Sequence, residues 1–163
     1  MVIYTPIYLH STIGLSWQDI GIVFTIMLLP FVIFQLPAGK LADKKWGEKE
    51  LMAIGFAIMG ISTFLITYIQ TSNILVWAGI LFMTRIGASV AEAMIETYFF
   101  KKVNPNESNV LSLFRITRPA ATILAPAITM LGLLYTDYTG LFAFLGIIVC
   151  SAVFFALRIH DTK

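Results

Sequence analysis

The sequence predicts an all-α, polytopic membrane protein built as one bundle of hydrophobic helices. Of its 163 residues, 58% are hydrophobic and only 12% are charged, and the mean hydropathy is +0.86. Soluble domains carry about 25% charged residues, so this chain has half the usual solvating charge. A helix needs about 20 apolar residues to cross about 30 Å of hydrocarbon. The length therefore allows five or six helices and no separate soluble domain.

Five long apolar runs predict the complete transmembrane helices. The first is free of charge and is bounded by Asp19 and Lys40. The next uncharged run, Leu51 to Thr84, is too long for one ordinary helix, and the polar residues 70–73 divide it with a turn. The predicted spans are about 20–39, 51–70, 74–100, 109–135 and 140–157. They are connected by the hydrophilic segment 43–50, the turn 70–73, the loop 101–108 and the turn 136–139.

The apolar segment 2–9 precedes these spans and is too short to cross a membrane. At 1.5 Å per residue it covers only about 12 Å. An interfacial stub is one interpretation, but a short segment with the aromatic Tyr4 and Tyr8 has little reason to exist alone. We therefore interpret it as the end of a sixth helix that begins outside this sequence.

The basic residues predict how the bundle lies in the membrane. Cytoplasmic connections of membrane proteins are enriched in Lys and Arg. Here the connections alternate between basic and non-basic at every predicted crossing, which puts the C-terminus in the cytoplasm of a multi-pass cell-membrane protein. The predicted cytoplasmic side holds Lys40, Lys44, Lys45, Lys49, Lys101, Lys102, Arg158 and Lys163.

Several other classes of protein are excluded by what the sequence lacks. The net charge is only +2, and no basic stripe exists to follow a nucleic acid backbone. Cys150 has no partner for a disulfide, and no Cys/His spacing suggests a metal site. An intramembrane enzyme would need a nucleophile with its base, or a metal, at membrane depth, yet the spans contain no His and no Asp pair. We therefore predict no enzyme activity, no cofactor and no nucleic acid partner; the lipid bilayer is an expected partner.

Charged residues inside the predicted spans are the candidate functional residues. Arg85, Glu92 and Glu96 lie on the third span, and their spacing of seven and eleven residues places them on one helical face. Arg115 and Arg118 lie on the fourth span. An ion at the centre of a membrane helix costs about 3 kcal/mol, so these residues must face protein or water and mark a site by default. For Glu96 and Arg115, a position in the wet headgroup region is the alternative.

Depth counting predicts an ion pair between these two spans. Measured from the loop that joins them, Glu92 lies about 12 Å deep, Arg115 about 10 Å and Arg118 about 15 Å. Consecutive antiparallel helices bring these residues to one level. We expect Glu92 to pair with Arg115 or Arg118, with Glu96 sharing the contact nearer the surface.

Arg85 is the residue predicted to meet a ligand. It lies about 22 Å from the same loop, past the middle of the bilayer. The other spans offer no carboxylate at that depth, although Pro30 frees the carbonyl of Ile26 as a backbone acceptor. The guanidinium would otherwise find its partner in water, in a further part of the protein or in a bound ligand.

The first predicted cytoplasmic connection carries a recognisable motif. Residues 39–49 read Gly-Lys-Leu-Ala-Asp-Lys-Lys-Trp-Gly-Glu-Lys and resemble the signature loop of the major facilitator superfamily, Gly-x-Leu-Ala-Asp-Arg/Lys-x-Gly-Arg-Lys. An ordinary positive-inside loop is the alternative. One extra residue precedes the second glycine of the motif, and Glu48 stands where the family prefers a base. The matching residues, to which the resemblance assigns a gating role, are Gly39, Leu41, Asp43, Lys44 and Gly47.

The glycine that opens the motif carries a structural expectation of its own. Because Gly39 has no side chain, we expect it to let two helix ends approach closely. Residues 85–89, and Ala125-Pro126 followed by Gly132, are similar to weaker Arg-Gly and Gly-Pro motifs of the family.

The resemblance implies a function and a partner. It implies a secondary transporter that moves a small solute by alternating access, with the third span lining the central cavity. In this family two six-helix halves form the transporter, so the other half becomes an expected partner. We interpret the chain as a C-terminal half without most of its first helix. A truncated N-terminal half and a non-transporting membrane partner protein are the alternatives.

Overall fold

The structure is a computed structural model that describes residues 3–44, 47–103 and 108–159. The described residues form helices and connections without a β-strand, as predicted. A 3₁₀ turn, Ile66–Tyr68, follows the third helix. The helices are α1 (Tyr4–Ser11), α2 (Trp17–Lys44), α3 (Glu48–Leu65), α4 (Ile74–Lys102), α5 (Ser108–Leu133) and α6 (Tyr138–Arg158).

In the described part of the chain, five helices, α2 to α6, are each long and apolar enough to cross a membrane, as many as the predicted spans. Their ends differ from the prediction. The helix α2 continues to Lys44, α3 already begins at Glu48, and α4 includes Lys101 and Lys102. The predicted hydrophilic segment 43–50 and loop 101–108 are therefore partly helical. A charge ends the hydrocarbon run but not the backbone hydrogen-bond ladder, so a helix can extend beyond the lipid.

The short helix α1 docks at the end of the bundle where α4 and α6 begin. Tyr8 is buried, and its ring lies 5.9 Å from that of Trp77 on α4 and 5.3 Å from that of Phe142 on α6. The hydroxyl of Tyr4 donates a hydrogen bond of 2.9 Å to the carbonyl of Pro126 on α5. The segment predicted as a helix end is therefore helical, and it contacts these three spans as well as α2.

Helix α4 lies at the centre of the bundle and packs against α2 and α3, while α3 also packs against α6. The contact between α3 and α4 depends on two glycines. A Cβ added at Gly87 would lie 2.5 Å from the carbonyl oxygen of Gly55, and one added at Gly55 would lie 2.8 Å from that of Gly87. Small residues of this kind let membrane helices approach until their backbones touch.

Two further glycines form the contact between α3 and α6. A Cβ at Gly60 would lie 2.6 Å from the Cys150 sulfur, and one at Gly146 would lie 2.8 Å from the Phe64 backbone nitrogen. The three helices α4, α3 and α6 are thus held together by close backbone contacts. At these glycines the helices lie closer together than they could if the positions carried ordinary apolar side chains.

For the described residues, the expected role of Gly39 is wrong. Among them a Cβ added at this position meets nothing within 4 Å, and Gly39 lines an open groove of 890 Å³ between α2 and α4. A glycine permits close contact only where another helix is in place to make it. The side chains of Leu41, Asp43 and Lys44, and all of Lys45, lie outside the described residues.

Helix α5 stands apart from this packing because none of its residues is buried. It contacts α4 through side chains. The rings of Phe99 and Phe114 stack with their centroids 3.9 Å apart and their planes 11° from parallel. Side-chain contacts of this kind give α5 a looser attachment than the glycine contacts give α3.

The glycine contact yields a stability prediction. Gly87→Ala places a methyl group against the α3 backbone, and we expect it to lower the free energy of unfolding by about 1–3 kcal/mol, as overpacking does. Thermal unfolding in detergent measures the loss. The matched control is Gly79→Ala on the same helix, where a Cβ meets nothing within 4 Å. Equal stability of the two variants would contradict the packing role of Gly87.

The predicted orientation can be tested by cysteine labelling. In a Cys150→Ala background, single cysteines replace Ser72, Lys102 and Asp137, all of which are exposed. We expect a membrane-impermeant maleimide added outside intact cells to label positions 72 and 137. Position 102 should react only after the membrane is opened. Labelling of position 102 from outside, or of the other two from the cytoplasm, would reverse the assignment.

Candidate functional site

A charge cluster of three side chains connects α4 and α5. The Nη2 atom of Arg118 lies 2.6 Å from Oε1 of Glu92 and 2.7 Å from Oε1 of Glu96. Both distances are those of charge-assisted hydrogen bonds. The pair expected from depth counting is present, and its arginine is Arg118.

The helical geometry explains why one arginine reaches two glutamates. Glu92 and Glu96 are four residues apart, so their side chains lie on successive turns of one face of α4. Arg118 lies opposite them on α5. Arg115, three residues earlier, is turned by about 60° around the helix axis; it is exposed and makes no ion pair with any described residue. The alternative pair with Arg115 is therefore wrong.

The charge cluster is partly accessible. The exposed fractions of the side chains are 56% for Arg118, 32% for Glu92 and 38% for Glu96. Two carboxylates share one guanidinium, so the three residues together carry one net negative charge when all are ionised. Because each of the three side chains is partly exposed, water or a ligand can reach these ion pairs.

A cavity of 410 Å³ lies beside the charge cluster, between α3, α4 and α5. Glu92 and Arg118 supply its charged wall, while Phe56 and Met59 of α3 supply an apolar wall. Thr117 adds a hydroxyl group. A mostly apolar cavity with a few convergent polar groups is the usual form of a small-molecule site. The remaining lining residues are Ala88, Ala91, Ile95, Phe114 and Ala121.

Glu96 also faces the open groove between α2 and α4. This groove of 890 Å³ is lined by Gln35 and Gly39 of α2 and by Glu96, Thr97 and Lys101 of α4, together with apolar side chains. The charged face of α4 thus lies between two cavities, one towards α5 and one towards α2.

Arg85 does not join the charge cluster. It is half-buried, and its Nε atom is buried without a hydrogen-bond partner among the described residues. The sequence suggested the carbonyl of Ile26 as a backbone acceptor for Arg85. In the described residues this carbonyl accepts no hydrogen bond from Arg85. The structure therefore brings together Glu92, Glu96 and Arg118 but leaves Arg85 and Arg115 outside the contact.

Sequence reasoning missed a second ion pair. Glu48 is fully buried at the start of α3 and forms a salt bridge with Lys101 near the end of α4. In the sequence, Glu48 stands out only as a departure from the signature loop. Opposite charges at the adjoining ends of two antiparallel helices were the signal that would have revealed the pair.

Neither the charge cluster nor its surroundings suggest a metal centre. Among residues 3–44, 47–103 and 108–159, no group of three His, Cys, Asp or Glu side chains is placed to hold a metal ion. The arrangement is instead one of paired charges on facing helices beside a cavity. Such pairs can open and re-form when the helices move.

The fold and the interior charges define a multi-pass membrane protein with a charged interhelical site. The family model of the Major Facilitator Superfamily matches residues 1–163. The chain therefore belongs to this family, whose members are membrane transporters. No curated protein and no solved structure matches the chain.

The charge cluster predicts an unequal cost of removing its members. Arg118→Gln leaves two carboxylates without their cation, whereas Glu92→Gln leaves Arg118 paired with Glu96. We expect Arg118→Gln to lower the free energy of unfolding by about 1–2 kcal/mol. This is less than the 3–5 kcal/mol of a fully buried pair, because all three side chains are partly exposed. Glu92→Gln should cost less.

Denaturant unfolding in detergent measures these changes, with Arg115→Gln as the control arginine. Adding Glu92→Gln and Glu96→Gln to the Arg118→Gln variant should restore part of the lost stability. If the triple variant is less stable than Arg118→Gln alone, the three residues do not act as a charge cluster.

Proposed function

We propose that the protein is a secondary transporter that moves a small solute across the cell membrane by alternating access. The observation that carries this proposal is the charge cluster of Glu92, Glu96 and Arg118 beside the 410 Å³ cavity, in a chain of the Major Facilitator Superfamily. Ionisable groups inside a membrane bundle are costly and mark solute or ion pathways.

The charge cluster provides a contact that can be exchanged. Arg118 on α5 holds two carboxylates of α4 at 2.6 Å and 2.7 Å, so it can release one and keep the other. Because α5 has no buried residue, its displacement disrupts few packed contacts. A movement of α5 against α4 would then open the cavity between them to one side of the membrane.

The proposal includes an orientation and a partner. The basic ends of α2 and α4 would face the cytoplasm, as would the end of α6 with Arg158. The predicted signature loop would then lie at the cytoplasmic face and act in gating through Gly39, Leu41, Asp43, Lys44 and Gly47. A second six-helix half would complete the transporter and cover the exposed faces of this bundle.

Uptake into vesicles tests the proposal. The whole transporter, with this chain and the second six-helix half together, is reconstituted into liposomes and incubated with a mixture of small metabolites, and the trapped solutes are measured by mass spectrometry. We expect at least one solute to accumulate above the level in empty liposomes. Arg118→Gln should reduce its uptake at least tenfold, because the exchangeable contact is lost.

The control variant is Arg158→Gln. Arg158 lies at the end of α6, away from the cavity, with its guanidinium 4.2 Å from the centre of the Phe154 ring. Solute uptake by the Arg158→Gln variant should match that of the unaltered protein. Folding of each variant is checked by size-exclusion chromatography. A folded protein that accumulates no solute would contradict transport and favour a non-transporting membrane role. Equal uptake by the Arg118 variant would remove the charge cluster from the mechanism.

A further inference from the structure

Arg85 occupies the middle of the central helix. The helix α4 runs from Ile74 to Lys102, so its midpoint falls at residue 88 and Arg85 lies about 4.5 Å from it along the axis. Binding sites of membrane transporters lie near the bilayer midplane. Arg85 is therefore at the depth where a solute would pause during transport.

The packing of α4 turns Arg85 away from the neighbouring helix α3. Gly87 meets α3 directly, and Arg85 is about 160° around the helix from it. Arg85 falls within about 20° of both Glu92 and Glu96. It therefore shares the face of α4 that carries the charge cluster.

No described carboxylate forms an ion pair with Arg85. Glu92 lies about 10 Å along the helix axis and Glu96 about 16 Å, and both are bound by Arg118. The other carboxylates whose side chains the structure describes lie at helix ends; they are Asp19, Glu48, Glu50 and Asp137.

Apart from the two lysines that end α4, the five charged side chains of α4 and α5 together carry one net positive charge when all are ionised. They are three arginines, at positions 85, 115 and 118, and the two glutamates of α4. The Nε atom of Arg85 is buried without a partner among the described residues. A buried guanidinium donor that lacks an acceptor is costly, and it is satisfied when an acceptor arrives with a ligand.

Space for such a ligand exists at this level. Ala88 lies one turn from Arg85 and lines the α3–α4–α5 cavity. On α5, Ala121 lines both that cavity and a second cavity of 410 Å³ between α1 and α5. The cavity wall formed by Ala88 therefore lies within one helical turn of Arg85.

We propose that Arg85 binds the anionic group of the transported solute, a carboxylate or a phosphate. This inference rests on the proposed transport function and narrows it to small organic or inorganic anions. A carboxylate can accept two parallel hydrogen bonds from a guanidinium, one from Nε and one from a terminal nitrogen. The buried Nε of Arg85 is one of the two donors in that arrangement.

Ligand-induced thermal stabilisation tests the charge preference directly. The purified protein as encoded is heated in detergent at pH 7.4 with acetate, lactate, succinate, benzoate or inorganic phosphate. Acetamide, lactamide, succinamide and benzamide are the uncharged counterparts of the carboxylates. A ligand that binds only the folded protein raises the Tm. We expect at least one anion to raise the Tm and its amide to leave the Tm unchanged; the carboxylate and phosphate series separate the two ligand chemistries.

The variants assign the binding to Arg85. Arg85→Gln should abolish the stabilisation, and Arg85→Lys, which keeps the charge but loses the planar fork, should weaken carboxylate affinity at least tenfold. Arg158→Gln at the end of α6 is the matched control and should respond like the unaltered protein. If Arg85→Gln does not fold, the affinity of Arg85→Lys decides the question. Stabilisation that persists unchanged in the folded Arg85 variants, or the absence of any effect of the anions, would overturn the proposal.

The uptake assay separates failure of this inference from failure of transport. Accumulation of an uncharged solute that is unaffected by Arg85→Gln would leave transport standing and overturn the anion site. Anion binding through Arg85 without accumulation of any solute would support the site and contradict transport.

Discussion

The close contact of α3 with α4 at Gly55 and Gly87 is the constraint on which the rest of the structure depends. A Cβ added at Gly87 would lie 2.5 Å from the Gly55 carbonyl oxygen, so the two backbones touch. Lipid is as apolar as the helices, and close packing of small residues therefore supplies the association. The contact also sets the rotation of α4. Since Gly87 faces α3, Arg85 and Glu92 project about 140–160° around the helix from it.

The attachment of α5 has a different physical basis. None of its residues is buried, and its contacts with α4 are the charge cluster around Arg118 and the stacked rings of Phe99 and Phe114. Backbone contacts between glycines allow little sliding, because any shift creates a clash or a void. An ion pair tolerates exchange between acceptors. The bundle thus combines a tightly packed set of helices, α3, α4 and α6, with one helix held by exchangeable contacts.

The number and order of the spans could be predicted because lipid excludes charge. The helix ends could not be predicted in this way, since α4 continues through charged residues to Lys102. The level of the ion pair followed from the rise per residue. The choice of Arg118 over Arg115 depends on the rotation of α5, which tertiary contacts determine. The error at Gly39 has the same origin, because a glycine permits a close contact without supplying the second helix. The ion pair of Glu48 with Lys101 was missed because Glu48 was compared only with the signature loop.

Arg118 and Arg85 differ in whether the chain supplies a carboxylate that pairs with them. Arg118 is neutralised within the chain by carboxylates at 2.6 Å and 2.7 Å. Arg85 shares the helical face of those carboxylates, yet about 10 Å of helix separates it from the nearer one. An arginine at this depth costs about 3 kcal/mol, and an apolar residue would remove that cost without disturbing the Gly87 contact. Within the described residues Arg85 thus bears this cost without an acceptor, and this difference from Arg118 is the physical basis of the proposed anion site.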